Sequence, residues 1–318
     1  MPGRLVRCRK AAAGGGELFM LMYSSVAEVV AEAVKQKKKI SELVLADQAR
    51  QLEKSEQDLY EQMEKNFAVM CESVLQGQKP QQRSTSGLTG GEGFKMSCYA
   101  QKTGGGLCGS FMTRAMSRAL AVSGCNASMG RIVAAPTAGS CGILPGCLVS
   151  LYEDKLLAKK DVVMSLFTAA AFGMVIAAKA SLAGAQGGCQ AECGSAAGMA
   201  AAALVELSGG EPEQAADACA IALVNQMGLV CDPVAGLVEI PCIKRNVAGV
   251  MIAFSSADMA LAGIKSEIPV DECIDAMREV GSGMPASLKE TAMGGLAATP
   301  TGRRLKAQVF GARETDEA

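Results

Sequence analysis

Cysteine is the residue type with the widest chemical scope in this sequence, which contains 13 cysteines and no histidine among its 318 residues. Thiolates act as nucleophiles and as ligands for soft metals. Histidine is the usual general base near neutral pH and a common metal ligand. Its absence excludes a Ser-His-Asp triad, a Cys-His dyad and a histidine zinc site built from this chain alone. The thiols are therefore the first candidates for chemistry.

The spacing of the cysteines does not match the common metal-binding motifs, because no C-x2-C pair occurs. Cys189 and Cys193 lie four residues apart and would share one face of a helix, where both could contact one metal. The alternative is that each is a small buried hydrophobic residue. An odd number of cysteines spread over the whole length does not resemble a secreted disulfide framework and favours a reducing cytoplasm.

Three cysteines differ from the others in their surroundings. Cys189 lies in AQGGCQAECG, Cys231 in MGLVCDPVAG and Cys242 in VEIPCIKRN, each beside glycine or proline at a predicted helix boundary. Free backbone N–H groups at such boundaries can donate hydrogen bonds to thiolates or cluster sulfur. Asp232 is a candidate acid or base, and equally a turn residue. Cysteines inside helical patterns are interpreted as packing residues: Cys71, Cys147, Cys219 and Cys273.

Residues 84–109 are mostly glycine, serine, threonine and other polar residues, which predicts a loop region. Gly104 to Gly109 match G-x-G-x-x-G formally. They follow YAQKT rather than an apolar strand, so the structural context of a dinucleotide site is missing. A stretch of this length inside a compact chain is typical of a functional or disordered segment.

The elements that position these residues are predicted to be helices. Ser25 and Glu28 form a capping-box pair that starts a helix over about 25–38, and Ser41 is placed to cap a longer amphipathic helix or hairpin. From residue 110 onward, alanine-rich helical windows alternate with glycine, proline and asparagine. No alternation of apolar and polar residues is long enough to require a sheet. The sequence therefore predicts an all-α fold.

Four segments are predicted along the chain. Residues 1–19 form a basic and then glycine-rich extension without periodicity, which we expect to be disordered, and residues 20–83 form an N-terminal amphipathic helical arm. A compact helical domain rich in alanine and glycine follows over residues 84–310. Residues 311–318 are a short tail.

The formal net charge of −1 leaves no basic surface for nucleic acid or for an anionic membrane. Residues 162–178 are uncharged and reach the lower length limit of a membrane span. Alanine, glycine and serine are prominent in this stretch, which favours a buried core helix. We therefore expect no nucleic-acid partner and no membrane span.

Several long strings in the sequence carry a family resemblance. They are SGLTGGEG at 86–93, LCGSFMTRAMSRALAVSGCNASMGRIVAAPTAGSCGILPG at 107–146, AGAQGGCQAECGSAAGMAAAALVEL at 183–207, and GLVCDPVAGLVEIPCIKRNVAG at 228–249. Together they resemble the alpha chain of iron-sulfur-dependent L-serine dehydratase, with likeness over most of residues 22–310.

The resemblance implies a helical catalytic domain with an oxygen-sensitive 4Fe-4S cluster held by three cysteines. Matched position by position, these are Cys189, Cys231 and Cys242. Three thiolates for four irons leave one iron open to act as a Lewis acid on substrate oxygen. The implied reaction converts L-serine to pyruvate and ammonia, and the implied compartment is the cytoplasm.

The catalytic base is not identified in this chain. In the family it is a histidine of a separate beta chain or of a fused beta domain, and a chain without histidine fits a separate alpha subunit with a beta-chain partner. Lys244, Arg245 and Asn246 follow a cluster cysteine and could balance its charge. Backbone N–H and hydroxyl groups of glycine-rich stretches are candidates for binding the substrate carboxylate, although each residue is also a plausible turn residue. These candidates are Ser86, Gly87, Thr89, Gly90, Gly91, Thr137, Ala138 and Gly139.

Two alternatives remain open at this point. An L-cysteine desulfidase-like lyase resembles this group and uses a cluster on a thiol leaving group. A helical structural protein with buried thiols would hold no metal. Cys193 stands where many relatives have an aliphatic residue, and it is either a neutral substitution or a spare thiol near the cluster.

Overall fold

The computed structural model of this chain describes residues 23–102 and 105–311. Within these residues the structure is helical, with one isolated bridge between Cys231 and Lys289 and no strand. The predicted all-α fold is confirmed. The predicted extension 1–19, residues 312–318 of the tail and Gly104 of the glycine motif lie outside the described residues.

Thirteen α-helices lie in the described ranges. In chain order they are α1 Val26–Gln36, α2 Ile40–Leu52, α3 Glu56–Gly77, α4 Glu92–Lys102, α5 Gly109–Ala127, α6 Ile143–Asp154, α7 Lys159–Lys179, α8 Gly184–Gly187, α9 Ser195–Leu207, α10 Pro212–Gln226, α11 Cys242–Leu261, α12 Val270–Gly283 and α13 Pro300–Phe310. A π-helical turn, Gln190–Gly194, leads directly into α9.

Serine caps and a left-handed residue set the ends of the N-terminal helices. The hydroxyl of Ser25 accepts a 3.1 Å hydrogen bond from the N–H of Glu28, and so caps α1 as the sequence predicts. The amphipathic stretch that follows is a hairpin of α2 and α3 rather than one helix. Glu53 adopts a left-handed conformation (φ 53°) that ends α2, and Ser55 caps α3.

Helix α9 lies at the centre of the fold, where it packs against α6, α7, α10 and α11. Every residue from Ser195 to Glu206 is buried, and most of them are alanine or glycine. Small side chains allow the helix backbones to approach closely. A Cβ atom added to Gly198 would lie 2.8 Å from the Sγ of Cys219 on α10. The alanine- and glycine-rich composition is therefore a packing requirement of this core.

Helix α7 contains the apolar stretch 162–178 and is the one helix in the described residues that is long and apolar enough to cross a membrane. In its most apolar window 67% of the residues are buried inside the protein. The helix packs against α2, α3 and α9. Its apolar sequence is accounted for by this burial, as expected of a core helix.

The helices of the segment 20–83 pack onto the rest of the protein. Helix α2 lies against α7, and α3 lies against both α5 and α7. The backbone N–H groups of Val26 and Ala27 donate to the carboxylate of Asp271 on α12, which also accepts a hydrogen bond from Lys179. The arm thus packs on the core and is joined to α12 by hydrogen bonds to the carboxylate of Asp271, which also binds Lys179 of α7.

Candidate functional site

The three predicted cluster cysteines are buried, two of them at the ends of helical segments and one in an extended segment. Cys189 directly precedes the π-helical turn, Cys231 lies in the extended segment after α10, and Cys242 is the first residue of α11. Their exposed fractions are 3%, 3% and 7%. The predicted boundary positions of Cys189 and Cys242 are confirmed, whereas Cys231 lies five residues beyond the end of α10, in the segment that bridges to Lys289.

Gln190 holds the first two cysteine segments together. Its side-chain Nε2 donates to the carbonyl oxygen of Met277 at 2.9 Å, and its Oε1 accepts from the N–H of Gly228 at 2.8 Å. The N–H of Gln190 also donates to the carbonyl of Leu229. Because Gln190 is fully buried, these bonds fix Cys189 beside the segment that enters Cys231.

The three thiols are close enough to influence one another electrostatically. Burial raises the pKa of the Cys231 thiol, and the charges of Cys189, Glu192 and Cys242 raise it further. Burial likewise raises the pKa of Cys242 to about 12, with Cys189 and Glu192 as the next contributors. A cation that binds these thiols would therefore displace their protons.

The donor set fits an iron-sulfur cluster better than a single metal ion. Within residues 23–102 and 105–311, no three His, Cys, Asp or Glu side chains converge to hold one ion. A 4Fe-4S cluster binds one thiolate at each of several irons, so its cysteines surround a volume rather than a point. Three buried thiols in mutual electrostatic range are compatible with that arrangement.

Cys193 lies beside the first predicted ligand, with its Sγ 3.5 Å from the Sγ of Cys189. This contact lowers the pKa of Cys189, with a further contribution from Arg245, and raises the pKa of Cys193 well above its usual value. The two thiols are therefore in direct contact, and each changes the pKa of the other.

Arg245 and Asp232 form a buried ion pair next to the cysteines. The guanidinium donates to the carbonyl of Val230 and to Oδ1 of Asp232, each at 2.8 Å. The other carboxylate oxygen of Asp232 accepts from the N–H of Leu296 at 2.8 Å. Both oxygens of Asp232 are thus used in hydrogen bonds to residues distant in sequence, so it acts neither as a local turn residue nor as a cap. Lys244 is exposed.

The loop 84–91 is tied to the segment between Cys231 and Cys242. The hydroxyls of Ser86 and Thr89 donate to the same carboxylate oxygen of Glu239, at 2.9 and 2.7 Å. Gly87, Gly90 and Gly91 have positive φ angles, which glycine adopts without strain. Two of the predicted substrate-binding residues, Ser86 and Thr89, therefore contact the segment between Cys231 and Cys242, and the three glycines lie in the same loop.

The second predicted substrate segment, Thr137–Gly139, lies against the same cysteine region. Asn246, one turn into α11, donates from Nδ2 to the carbonyl oxygens of Gly139 and Cys242 at 2.8 and 2.9 Å. Its Oδ1 accepts from the N–H of Gly142 at 2.8 Å. The hydroxyl of Thr137 donates to Oε1 of Glu192 at 2.7 Å.

Glu192 and Glu239 are site residues that the sequence reasoning missed. Glu192 lies in the π-helical turn, and its Oε2 is 3.9 Å from the Sγ of Cys231. Burial raises the pKa of its carboxyl, against a smaller lowering by the Thr137 hydrogen bond. The sequence did mark both residues, since each is an isolated acidic residue among apolar or small residues in a segment that carries the family resemblance.

The part of the chain that contains these cysteines and loops is similar to known proteins. Residues 35–297 match the family described as "Serine dehydratase alpha chain". The chain belongs to the serine dehydratase alpha-chain family. The matched region contains the three buried cysteines and both glycine-rich segments.

Relatives in this family are similar over most of the chain. The "Probable L-serine dehydratase, alpha chain" of Bacillus subtilis is 50% identical over 302 residues, which cover 93% of this chain and 100% of that relative. The "L-serine dehydratase, alpha chain" of Peptoniphilus asaccharolyticus is 44% identical over 268 residues, 84% of this chain and 91% of the relative. "L-serine dehydratase 1" of Escherichia coli is 45% identical over 183 residues, which cover 56% of this chain but only 40% of that longer protein.

Proposed function

We propose that this chain is the alpha subunit of an L-serine dehydratase, a lyase that converts L-serine to pyruvate and ammonia. The family assignment supports the reaction, because relatives that match most of this chain carry that name. The observation that carries the proposal is the meeting of three buried cysteines with both predicted substrate loops at the ends of α9 and α11.

Cys189, Cys231 and Cys242 would hold a 4Fe-4S cluster in this site. When bound through three protein thiolates, such a cluster supplies an open iron that acts as a Lewis acid toward substrate oxygen. The residues of this chain then have distinct roles. Arg245 lowers the pKa of Cys189 through its positive charge, second to the Cys193 contact, and so favours the thiolate that iron requires. Asn246 holds the loop at Gly139 against the ligand Cys242.

The glycine-rich loops would bind the substrate carboxylate. Ser86 and Thr89 each donate their single hydroxyl proton to Glu239, and Thr137 donates to Glu192. The backbone N–H groups of Gly87, Leu88, Thr89 and Gly91 already donate within or next to the loop. The candidate donors to substrate are therefore the N–H groups of Ser86 and Gly90 and those of 137–139. Such concave N–H groups are suited to carboxylates.

The base that removes the α-proton of serine would come from a beta chain. This chain has no histidine to supply one, and relatives of similar length are named as alpha chains. Loss of the α-proton and of the β-hydroxyl gives 2-aminoacrylate, which tautomerises and hydrolyses to pyruvate and ammonia. We place the enzyme in the cytoplasm, because the twelve cysteines of the described residues are free thiols.

The test is pyruvate formation from L-serine by anaerobically purified alpha chain, with and without its co-expressed beta chain. Activity that needs both chains is the expected result. L-cysteine is assayed in parallel, and turnover of cysteine in preference to serine would contradict the proposed substrate. A complex that carries iron yet releases no pyruvate from L-serine would contradict the proposed reaction.

A further inference from the structure

Glu192 is a carboxylate without a cationic partner. Its Oε1 accepts a hydrogen bond from Thr137, and its Oε2 lies 3.9 Å from the Sγ of Cys231. No ion pair in residues 23–102 and 105–311 includes this side chain. The nearby guanidinium of Arg245 instead binds Asp232 at 2.8 Å.

Two glycines from separate segments leave room for this carboxylate. A Cβ atom added to Gly139 would lie 3.0 Å from Oε1 of Glu192, and one added to Gly184 would lie 2.6 Å from Oε2. The Cβ at Gly184 would also lie 3.0 Å from the Sγ of Cys231. The carboxylate therefore occupies a space between the two glycines, beside a predicted cluster ligand.

The charges around Glu192 are unfavourable for an unpaired carboxylate. Cys189 and Cys231 carry negative charge when they bind iron, and the charge of Glu290 also acts on this side chain. A partly buried charge is expensive unless it is paired with an opposite charge. The described residues supply a hydrogen bond here but no cation, which leaves a bound ligand or the beta chain as the source of positive charge.

We infer that Glu192 binds the α-ammonium group of the substrate amino acid. This inference rests on the proposed function, which brings an amino acid to the cysteines. Thr137 fixes the orientation of the carboxylate, and Gly139 and Gly184 leave space beside it. The site would therefore select α-amino acids over carboxylic acids of the same size that lack the ammonium group.

The experiment compares L-alanine with propionate as inhibitors of L-serine turnover by the anaerobic alpha-beta complex. Both lack the leaving hydroxyl, and they differ only in the ammonium group. For the wild type we expect L-alanine to have an inhibition constant at least roughly tenfold lower than that of propionate. Glu192→Gln removes the charge at nearly constant shape. This variant should raise the inhibition constant of L-alanine roughly tenfold to a hundredfold, as expected for the loss of a charged hydrogen bond. The inhibition constant of propionate should stay unchanged.

Glu72→Gln is the matched control, because it makes the same change at an exposed glutamate on α3, away from the predicted cluster cysteines. It should change neither inhibition constant. Iron content and circular dichroism of each variant establish that cluster and fold are intact. An equal rise in the inhibition constants of L-alanine and propionate in Glu192→Gln would overturn the inference. If that variant does not fold, the wild-type comparison alone tests the inference, because similar inhibition constants for L-alanine and propionate would overturn the inference. A wild-type complex without iron or serine turnover would instead contradict the proposed function.

Discussion

The hydroxyl of Thr89 donates a 2.7 Å hydrogen bond to the carboxylate of Glu239, which lies three residues before Cys242. A glycine-rich loop far away in sequence is thereby attached to the segment that carries two predicted cluster ligands. The side chains of both residues are buried, so the bond is shielded from water. The substrate loop and the cysteine segment should therefore move together.

We expect Thr89→Val to loosen the loop 84–91 and to raise the KM for L-serine several-fold. The variant leaves the iron content unchanged, because no cysteine is touched. Loss of a hydrogen bond to a charged acceptor should also lower the free energy of unfolding by about 1.5–3 kcal/mol. Thr85→Val is the control, since Thr85 is exposed in the same loop and its hydroxyl bonds weakly to a carbonyl 3.5 Å away. Equal KM values for the two variants would contradict this account.

Asn246→Ala should destabilise the fold and disturb the site. The substitution leaves the carbonyl of Gly139 and the N–H of Gly142 without their partner, at about 1–3 kcal/mol for each buried group. Denaturant unfolding measures the change. Asn225→Ala removes an exposed asparagine on α10 and should change the free energy of unfolding by less than about 0.5 kcal/mol. A similarly small effect at position 246 would show that the loop does not depend on this side chain.

Gly184→Ala should reduce activity while the protein remains folded. The new Cβ would lie 2.6 Å from Oε2 of Glu192 and 3.0 Å from the Sγ of Cys231, so it would displace the carboxylate from its present position. We expect kcat/KM for L-serine to fall roughly tenfold, as for loss of a charged hydrogen bond. Gly283→Ala is matched to it, because a Cβ there meets open space. Unchanged kinetics in Gly184→Ala would mean that the position of the carboxylate does not matter.

Acid stability should depend on Asp154. Although burial raises its pKa, hydrogen bonds from Arg118 and Arg114 outweigh that effect and hold the pKa below its usual value. A lowered folded-state pKa contributes stability that is present above the unfolded-state value, about 3.9, and is lost as the pH falls through the folded-state value. Asp154→Asn should therefore be less stable at pH 7 and lose less stability below about pH 4.

Unfolding free energies measured from pH 7 to pH 2 test the role of Asp154. Glu72→Gln, at an exposed position on α3, should keep the pH dependence of the wild type. If Asp154→Asn and the wild type lose stability in parallel on acidification, the ion pair does not contribute in this way.

The sequence was a good guide to most helices, but the prediction of a loop over 84–109 was wrong for Glu92–Lys102, which forms α4 despite its glycine- and serine-rich surroundings. Periodicity predicted the all-α fold, and the cap at Ser25 follows from local hydrogen bonding alone. The break between α2 and α3 was harder to locate, since Glu53 adopts a left-handed conformation that its residue type does not favour. The boundary positions of Cys189 and Cys242 were readable because glycine and proline flank them.

The contacts between segments could not be predicted in this way. Glu192 joins Thr137 across 55 residues, and Glu239 joins Thr89 across 150. No local pattern encodes such pairs, because they depend on how α5, α9 and α11 pack. Asn246 was noticed only for its place after Cys242, whereas its structural role is to bond the loop at Gly139 and Gly142.

The most direct test of the central claim is the iron content of the anaerobically purified alpha-beta complex, measured for the wild type and for single alanine variants of the three cysteines. We predict about four irons per alpha chain in the wild type, and loss of most of that iron in Cys189→Ala, Cys231→Ala and Cys242→Ala. Cys219→Ala, a buried cysteine of α10 that packs against Gly198, should keep the wild-type iron content. A wild type without iron, or iron that survives each of the three substitutions, would contradict the assignment of this site.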